Sequence, residues 1–402
     1  MVAVAWFSDT EGQWPKLLHF LDANPCVAMR DGRLHVAPGC VLVFGGDSVD
    51  RGPAGLRLLR LLVEVKRRQP DQVVLLAGNR DINKLRFLNE VAPDPPRRRR
   101  HRRLPDDLAS ADRAALLRWT LAETMSAKIA FACRQQELAE LGLPADDDAT
   151  ADSLVDDVRP GGALLEYLEV AQLMWRLGDV LFVHGAVTPT NRGLTPGFAG
   201  RDLEFDRWQE RLNAYFATSV AAAKAGDSAG CEALLAYQAP LPGQKSNPYS
   251  VVYSRTTDDD GTPAPPDPDL ARALAGQGVA RVVLGHAPIG DAPCVVRGAG
   301  VDVFLGDTSY SRLEYGARLI LDGDGTHLEG RARLDDGSEA GVATWHCSND
   351  HGPIGRHTAE GDLVAARLDD GRYLLMRGMP GWQRKQVAVR AAQAAASLTG
   401  AG

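Results

Sequence analysis

Short apolar runs alternate with amphipathic segments along most of the chain. Five runs have the length and composition of buried strands: residues 2–7, 40–44, 72–76, 180–183 and 282–284. Each is followed by Asp, Asn or His beside a glycine, and these polar residues are Asp9, Asp47, Asn79, His184 and His286. In open α/β sheets, ligands bind outside the carboxyl ends of the strands. The pattern therefore predicts a functional site at those ends.

The segments between these runs have helical periodicity, which predicts an α/β fold with a βαβ series and a largely parallel sheet. Predicted helices cover residues 13–23, 53–68 and 81–89. After His286 the pattern alternates and contains Asp-Gly turns, so we predict antiparallel strands at 316–321, 326–332, 341–346 and 363–376. An alanine-rich segment predicts a C-terminal helix within residues 380–402, running from Gln383 to Leu398.

Residues 90–178 interrupt the series and predict a helical insertion. Helical patterns cover 110–142 and 161–177, and an acidic loop from Asp146 to Asp157 separates them. Two interpretations stand at this stage. The insertion either shapes the cleft and selects the substrate, or it is a stabilising cap remote from the chemistry.

The segment from Gly45 to Gly52 carries the strongest chemical signal, because it places two carboxylates and a guanidinium on one strand-end turn. Asp47 is placed to hold a metal ion. Arg51 is placed to bind a planar, doubly charged group such as phosphate. The plain alternative is a solvated ion pair in an ordinary strand–turn–helix, and the four similar strand ends elsewhere argue against it.

Read in order, the motifs Asp-Thr-Glu, GDSVDRG, GNRD, His-Gly-Ala and Gly-His-Ala-Pro resemble those of the calcineurin-like metallophosphoesterase superfamily. Within it the chain is most similar to the phosphoprotein phosphatase branch and its bacterial relatives. The resemblance implies a four-layer α/β/β/α sandwich and one metallophosphoesterase domain over residues 1–402. Two positions depart from the family pattern: Glu11 stands in place of a ligand histidine, and Arg80 in place of the catalytic histidine.

The resemblance implies one metal site made of Asp47, Asn79, His184 and His286. Two oxygens and two imidazoles suit manganese, iron or zinc. A second ion would lie between Asp9, Glu11 and the bridging Asp47, in an all-oxygen site that favours manganese or magnesium. We therefore expect two divalent ions, with manganese first, and a second site that is weaker or empty. For Asp307, at another strand end, we expect a structural role.

Two adjacent ions would clamp a phosphate and generate hydroxide for in-line attack, with Arg51 neutralising the phosphoryl oxygens. Arg80 cannot act as an acid, since a guanidinium does not deprotonate, but it can bind phosphate and pair with Asp50. The proton would come from His101 or a metal-bound water, unless the leaving group needs none. Arg255 is either a second phosphate-binding arginine or part of a surface ion pair.

Bulk properties restrict the function classes. The net charge of −7 argues against a general nucleic-acid binder, although Arg97–Arg103 contains six arginines. That run is either a polyanion docking site or a solvated linker, which could pair with the acidic segment. No C-x-x-C pair and no membrane-length apolar run occurs, so we expect a cytoplasmic setting.

The function predicted is therefore a metal-dependent phosphoesterase, acting on an ester or an anhydride. Its substrate would be a phosphorylated small molecule, a nucleotide or a phosphoprotein. Two alternatives remain: a pseudophosphatase that binds phosphorylated ligands with little turnover, and a nucleic-acid phosphodiesterase that uses the arginine run.

Overall fold

The computed structural model describes residues 2–91, 100–108, 112–311, 313–323, 325–347 and 352–398. Its strands are β1 (Ala3–Phe7), β2 (Val27–Arg30), β3 (Arg33–Val36), β4 (Cys40–Phe44), β5 (Val73–Leu75), β6 (Met174–Leu177), β7 (Val180–Val183), β8 (Arg281–Leu284), β9 (Cys294–Arg297), β10 (Asp302–Leu305), β11 (Arg318–Asp322), β12 (Gly325–Arg333), β13 (Glu339–Cys347), β14 (Leu363–Arg367), β15 (Tyr373–Met379) and β16 (Gln383–Val389). Its α-helices are α1 (Trp14–Leu21), α2 (Gly55–Arg68), α3 (Asn79–Asn83), α4 (Phe87–Glu90), α5 (Arg113–Trp119), α6 (Ala130–Glu140), α7 (Asp147–Asp156), α8 (Ala163–Val170), α9 (Phe205–Lys224), α10 (Ser228–Tyr237), α11 (Pro268–Ala275) and α12 (Ala391–Ala396).

Two large sheets form the centre of the molecule. The first has the order β13-β12-β11-β1-β4-β5, in which β1, β4 and β5 are parallel. The second has the order β6-β7-β8-β10-β9, in which β7, β8 and β10 are parallel. Because the parallel strands of each sheet share a direction, their carboxyl ends lie at one edge of that sheet.

Alternation along β1 shows how the layers are built. Val4 and Trp6 belong to the apolar cluster between the two sheets, where Trp6 stacks on Phe182 of β7 at 5.8 Å between ring centroids. Phe7 points to the other face and stacks on Phe20 of α1 at 4.2 Å. Successive strand residues point to opposite faces, so one strand serves both layers. The predicted four-layer α/β/β/α sandwich is confirmed.

The insertion is helical, but its elements differ from the prediction. The expected acidic loop is helix α7, because Asp146 caps it by accepting Ala149 N–H and two acidic residues occupy its first turn, where carboxylates stabilise a helix. The helix predicted over 161–177 ends at Val170, and β6 follows it. The apolar residues of β6 continue the helical periodicity of the preceding segment, but in the structure β6 is a strand that pairs with β7.

The C-terminal helix predicted from Gln383 to Leu398 is largely wrong. Residues Gln383–Val389 form strand β16, which pairs with β15 in the small sheet β14-β15-β16. The helix is restricted to Ala391–Ala396. Alanine content favoured a helix locally, while the edge of β15 offered backbone hydrogen bonds that the local sequence does not reveal.

Two bulk expectations concern the described residues. Within them, no helix combines the length and the hydropathy of a membrane span. All six cysteines lie in the described part of the chain, and none of them forms a disulfide bond.

A carboxylate from the insertion caps helix α2. The N-cap residue of α2 is Ala54, which has no capping side chain. Instead, Glu137 of α6 accepts the backbone N–H groups of Leu56 at 3.0 Å and Arg57 at 2.9 Å. Glu137 is buried, and Arg134 Nε lies 3.7 Å from its carboxylate. The insertion thereby stabilises the helix that follows the GDSVDRG turn.

We predict that Glu137→Gln will lower the free energy of unfolding by about 2 kcal/mol. A glutamine can accept from one of the two N–H groups, and it leaves Arg134 with one fewer buried negative partner. Hydrogen bonds to charged groups contribute roughly 1.5–3 kcal/mol each. Urea unfolding followed by circular dichroism measures the change.

Glu140→Gln is the matched control, because Glu140 lies on the same helix and contacts Arg57 of α2 at 3.4 Å at the surface. An exposed ion pair contributes roughly 0–1 kcal/mol, so this variant should unfold near the wild-type midpoint. Equal losses in the two variants would contradict the capping role of Glu137.

Candidate active site

The polar residues that end the five strands come together across both sheets. Asp9 follows β1, Asp47 follows β4, and Asn79 opens α3 just after β5, all in the first sheet. His184 follows β7 and His286 follows β8 in the second sheet. The sheets are joined here by two hydrogen bonds: His184 Nδ1 to Gly45 O at 2.7 Å, and His286 N–H to Asp9 Oδ1 at 3.0 Å.

Four side-chain atoms converge on one point. Asn79 Oδ1 lies 2.7 Å from His286 Nδ1 and 3.2 Å from His184 Nε2. Asp47 Oδ1 lies 3.3 Å from His184 Nε2. Among the His, Cys, Asp and Glu side chains of the described residues, a search for groups that could share a metal ion finds Asp47, His184 and His286. Ligand atoms roughly 2.1 Å from an ion lie about 3.0–3.4 Å from one another, so the spacing suits one ion.

The tautomer of His184 supports a cation at this point. Its Nδ1 is 2.7 Å from a carbonyl oxygen, so Nδ1 carries the proton and donates it to Gly45 O. Burial lowers the pKa of His184, although this hydrogen bond acts in the opposite direction, and the ring is neutral. Its Nε2 therefore presents a lone pair to two acceptor oxygens. A metal-ligating histidine normally donates its second N–H in this way.

The loops that present these groups have an unusual backbone. Asp9, Glu11, Asp47, Asp50 and His286 have φ values of 51°, 47°, 56°, 113° and 64°. Non-glycine residues seldom adopt positive φ, and such strain is characteristic of functional sites.

Two glycines make the close approach of the loops possible. A Cβ on Gly78 would lie 2.1 Å from Asp47 Oδ1, and a Cβ on Gly46 would lie 2.5 Å from Gly78 N. A side chain at either position would therefore force the loops of Asp47 and Asn79 apart.

Asp81 fixes the loop of Asp47 from behind. Its carboxylate accepts the backbone N–H groups of Asp47, Ser48 and Gly78, each at 2.9 Å, and the Ser48 hydroxyl at 2.6 Å. Asp81 is the last residue of the GNRD motif, and no role for its side chain was predicted from the sequence. Its position three residues after Gly78, at a helix start, was the available signal.

Glu11, predicted as a ligand of a second metal ion, contacts two arginines. Its Oε1 lies 3.0 Å from Arg80 Nε, and its Oε2 lies 2.5 Å from Arg51 Nε. Burial raises the pKa of Glu11 to about 7, although Arg80 and Arg51 oppose that shift. Both contacts are ion pairs, and the two guanidinium groups favour the carboxylate form of Glu11.

Arg80 is the centre of a buried ionic cluster. Beyond Glu11, it contacts Asp47 Oδ2 at 3.6 Å through Nε and Asp50 Oδ2 at 3.1 Å through Nη1. The expected pairing of Asp50 with Arg80 is therefore present. Burial would lower the pKa of Arg80, but Glu11, Asp50 and Asp47 outweigh it and hold the pKa well above its usual range. The guanidinium stays charged.

Lys84 is a second cation in this cluster that the sequence analysis missed. Its Nζ donates to Asp50 Oδ2 at 2.8 Å and to Arg80 O at 3.1 Å. Burial would raise the pKa of Asp50, but Lys84 and Arg80 together lower it. The spacing of Arg80 and Lys84, one helical turn apart, was the signal in the sequence.

Lys16 is another buried cation near the site that the sequence analysis missed. Its Nζ donates to Thr308 O beside Asp307. Burial lowers the pKa of Lys16, and the carboxylates of Asp307, Glu11 and Asp9 act in the opposite direction. Helical periodicity places Lys16 on the apolar face of α1, next to Leu17, and that position indicates a buried lysine.

A cavity of about 320 Å³ opens over the four converging atoms. It is lined on the chemical side by Glu11, Asp47, Asn79, Arg80, His286 and Asp307, and around its rim by Asn83, Arg86, Thr124, Met125, Ser126, Gln238, Ala239, Pro240, Lys245, Tyr253, Arg255, Pro288, Ser309 and Tyr310. Arg255 thus lies in the cavity, as one interpretation expected. Arg51 packs over the Tyr310 ring at 3.9 Å.

Other predicted groups lie outside the cavity lining. His101, one of the two suggested acids, packs edge-on against Trp119 at 5.6 Å.

Residues 97–99 of the arginine run lie outside the described residues. Of the rest, Arg100 pairs with Asp106, and Arg103 donates to Glu123 O at 2.7 Å. The acidic segment pairs elsewhere, for example Asp147 with Arg118 at 2.7 Å, so the described arginines of the run do not pair with it.

Comparison with solved structures finds similar phosphatases at low identity. A cold-active protein-tyrosine phosphatase of a psychrophilic Shewanella species has 17% identity and a TM-score of 0.46, with 85% of this chain and 80% of that chain covered. A protein serine/threonine phosphatase from Saccharomyces cerevisiae, described as similar to human phosphatase PP5, has 13% identity and a TM-score of 0.39, covering 87% and 81%. A metallophosphoesterase from Sphaerobacter thermophilus has 11% identity and a TM-score of 0.32, covering 86% and 87%.

At these scores the likenesses carry no conclusion about activity. No curated protein matches the sequence. The family model described as calcineurin-like phosphoesterase matches residues 2–288, which include all five strand ends. The chain belongs to the calcineurin-like phosphoesterase family.

Proposed function

We propose that this phosphoesterase is metal-dependent and that Asp47, Asn79, His184 and His286 hold its divalent ion. The observation that carries the proposal is the convergence of two oxygens and two ring nitrogens within 2.7–3.3 Å, with the His184 proton directed away to Gly45. A divalent cation between these atoms would be bound by the lone pairs of Asp47 Oδ1, Asn79 Oδ1 and His184 Nε2, and by His286 Nδ1 in its deprotonated tautomer. Two oxygen and two nitrogen donors support manganese, with iron or zinc as alternatives.

The residues of this chain would bind and orient the phosphoryl group. A divalent ion would polarise a phosphoryl oxygen and lower the pKa of a nearby water. Arg51, Arg80 and Arg255 would bind the remaining oxygens, because guanidinium groups match phosphate geometry. Asp50 would hold Arg80 in place through its contact at 3.1 Å. Among the described residues that line the cavity, His286 is the histidine. As a metal ligand, it would have no proton to donate to the leaving group.

The cavity supports a phosphorylated small molecule or a nucleotide as substrate. Its volume of about 320 Å³ is at the lower end of ordinary ligand pockets. A phosphorylated side chain of a protein would also fit. Thr124, Met125 and Ser126 bring the insertion to the cavity wall, which supports substrate selection by the insertion over a remote cap. The lack of disulfide bonds among the six cysteines, all of which are described, supports a reducing, cytoplasmic compartment.

We predict that His286→Asn will weaken Mn²⁺ binding by more than 100-fold. Loss of an outer-shell partner typically costs about 10–100-fold in metal affinity, and a direct ligand should cost more. Isothermal titration calorimetry on chelator-treated protein measures the affinity.

His19→Asn is the matched control. His19 lies at the surface, where it stacks on Tyr315 and Nδ1 contacts Glu314 O. This variant should bind Mn²⁺ as the wild type does. Unchanged affinity in both variants would rule out the proposed centre.

We further predict that turnover will depend steeply on the leaving group. Without an imidazole acid, the leaving oxygen departs as an anion. General acid catalysis is typically worth about 10²–10⁴-fold, and its absence penalises alkyl phosphates far more than aryl phosphates or anhydrides. With Mn²⁺ present, kcat/KM for an aryl phosphate should exceed that for an alkyl phosphate by at least about 100-fold.

A series of aryl and alkyl phosphates tests this, with pyrophosphate as the anhydride and chelator-treated enzyme as the blank. Comparable kcat/KM values for aryl and alkyl esters would show that another group supplies the proton. Binding of the phosphates without turnover of any of them, at full Mn²⁺ occupancy, would favour the pseudophosphatase.

A further inference from the structure

The two oxygens of Asp47 face different cationic positions. Oδ1 points toward the proposed metal centre, 3.3 Å from His184 Nε2, and also accepts the Arg80 backbone N–H at 2.8 Å. Oδ2 lies 3.6 Å from Arg80 Nε. A carboxylate that would bridge two metal ions therefore has a guanidinium on its second side.

Of the two carboxylates that would complete a second metal site, Glu11 is held by the chain's own cations. Its two oxygens lie 3.0 Å from Arg80 Nε and 2.5 Å from Arg51 Nε. Asp9 Oδ1 accepts the His286 backbone N–H at 3.0 Å, and its Oδ2 has no hydrogen-bond partner among the described residues. A metal ion there would have to displace two guanidinium groups from buried contacts, and it would meet their charge at short range.

The arrangement also accounts for two departures from the family pattern at once. Glu11 and Arg80 stand where the resemblance expects a ligand histidine and a catalytic histidine, far apart in the sequence. In the structure they form one ion pair, with both side chains at most 8% exposed. Replacing two neutral histidines by one carboxylate and one guanidinium leaves the net charge of that pocket unchanged.

Lys16 strengthens the same assignment. Its side chain is buried, and its Nζ donates to Thr308 O, next to Asp307 in the sequence. Burial lowers the pKa of Lys16, and the carboxylates of Asp307, Glu11 and Asp9 oppose that shift.

We propose that Arg80, supported by Arg51 and Lys16, replaces the second metal ion, so that the protein binds one divalent ion per chain. This inference rests on the proposed function. The guanidinium would neutralise phosphoryl charge permanently, since it neither exchanges with solvent nor responds to a chelator. Asp50 and Lys84 act as positioning residues for it, through contacts at 3.1 Å and 2.8 Å on Asp50 Oδ2.

The experiment is a metal count on the full chain, using Mn²⁺ as the probe. Chelator-treated protein is equilibrated with Mn²⁺, and bound manganese per chain is measured by elemental analysis. Electron paramagnetic resonance of the same sample separates an isolated ion from a coupled pair. We expect one ion per chain and the six-line spectrum of an isolated Mn²⁺.

The double variant Glu11→His with Arg80→His tests the cause. It removes the ion pair and supplies a nitrogen donor beside Asp9 and Asp47, so bound manganese should rise to two per chain with a coupled spectrum. Circular dichroism establishes whether the variant folds. If it does not fold, the wild-type count still decides between one and two ions.

The matched control is Arg67→His with Glu166→His, an ion pair of 3.3 Å between α2 and α8. It makes the same exchange away from the site and should keep one ion. Two tightly bound, coupled ions in the wild type would overturn this inference and leave the proposed function standing. No bound ion in the wild type would overturn the proposed function itself.

Discussion

The contact of one guanidinium with three buried carboxylates is the interaction on which this site depends. Arg80 lies within 3.6 Å of Glu11, Asp47 and Asp50, which follow two different strands. Unpaired, these carboxylates would repel one another in a region with little water. Removing one partner of a buried ion pair typically costs roughly 3–5 kcal/mol. Arg80 therefore joins the loops after β1 and β4 to helix α3.

The strain in these loops is sustained by hydrogen bonds between them. Asp9 N–H donates to Gly46 O at 2.9 Å, Glu11 N–H to Asp47 O at 3.0 Å, and Arg51 N–H to Glu11 O at 2.7 Å. These bonds offset the cost of positive φ, which is of order 1–3 kcal/mol per residue. In the resulting arrangement, the polar side-chain atoms of Asp47, Asn79, His184 and His286 already lie close together. Such preorganisation is what electrostatic catalysis requires.

The sequence was informative wherever function followed from a local pattern. A strand that ends in Asp, Asn or His beside glycine predicts both the element and the position of its polar residue, so Asp47, Asn79, His184 and His286 were found together. Partners across the fold were not predictable in the same way. Nothing in the local sequence indicates that Glu11 would contact Arg51 and Arg80. Strand β16 was missed for a similar reason, because its hydrogen bonds come from a distant edge.

The charges around the cavity bear on the kind of phosphate that it would bind. Its described lining has four cationic side chains, Arg80, Arg86, Lys245 and Arg255, and three carboxylates, Glu11, Asp47 and Asp307. The protein alone is therefore nearly neutral there, and a divalent ion would make the pocket clearly positive. A simple phosphate monoester would need little more than the ion, Arg51 and Arg80. Arg86 is already paired with Glu90 at 2.7 Å. Lys245 and Arg255 would remain to meet further negative charge, which a phosphoanhydride carries on its second phosphate. Because Lys245 and Arg255 lie on loops, substitutions there would alter selectivity of this kind and leave Asp47, His184 and His286 in place.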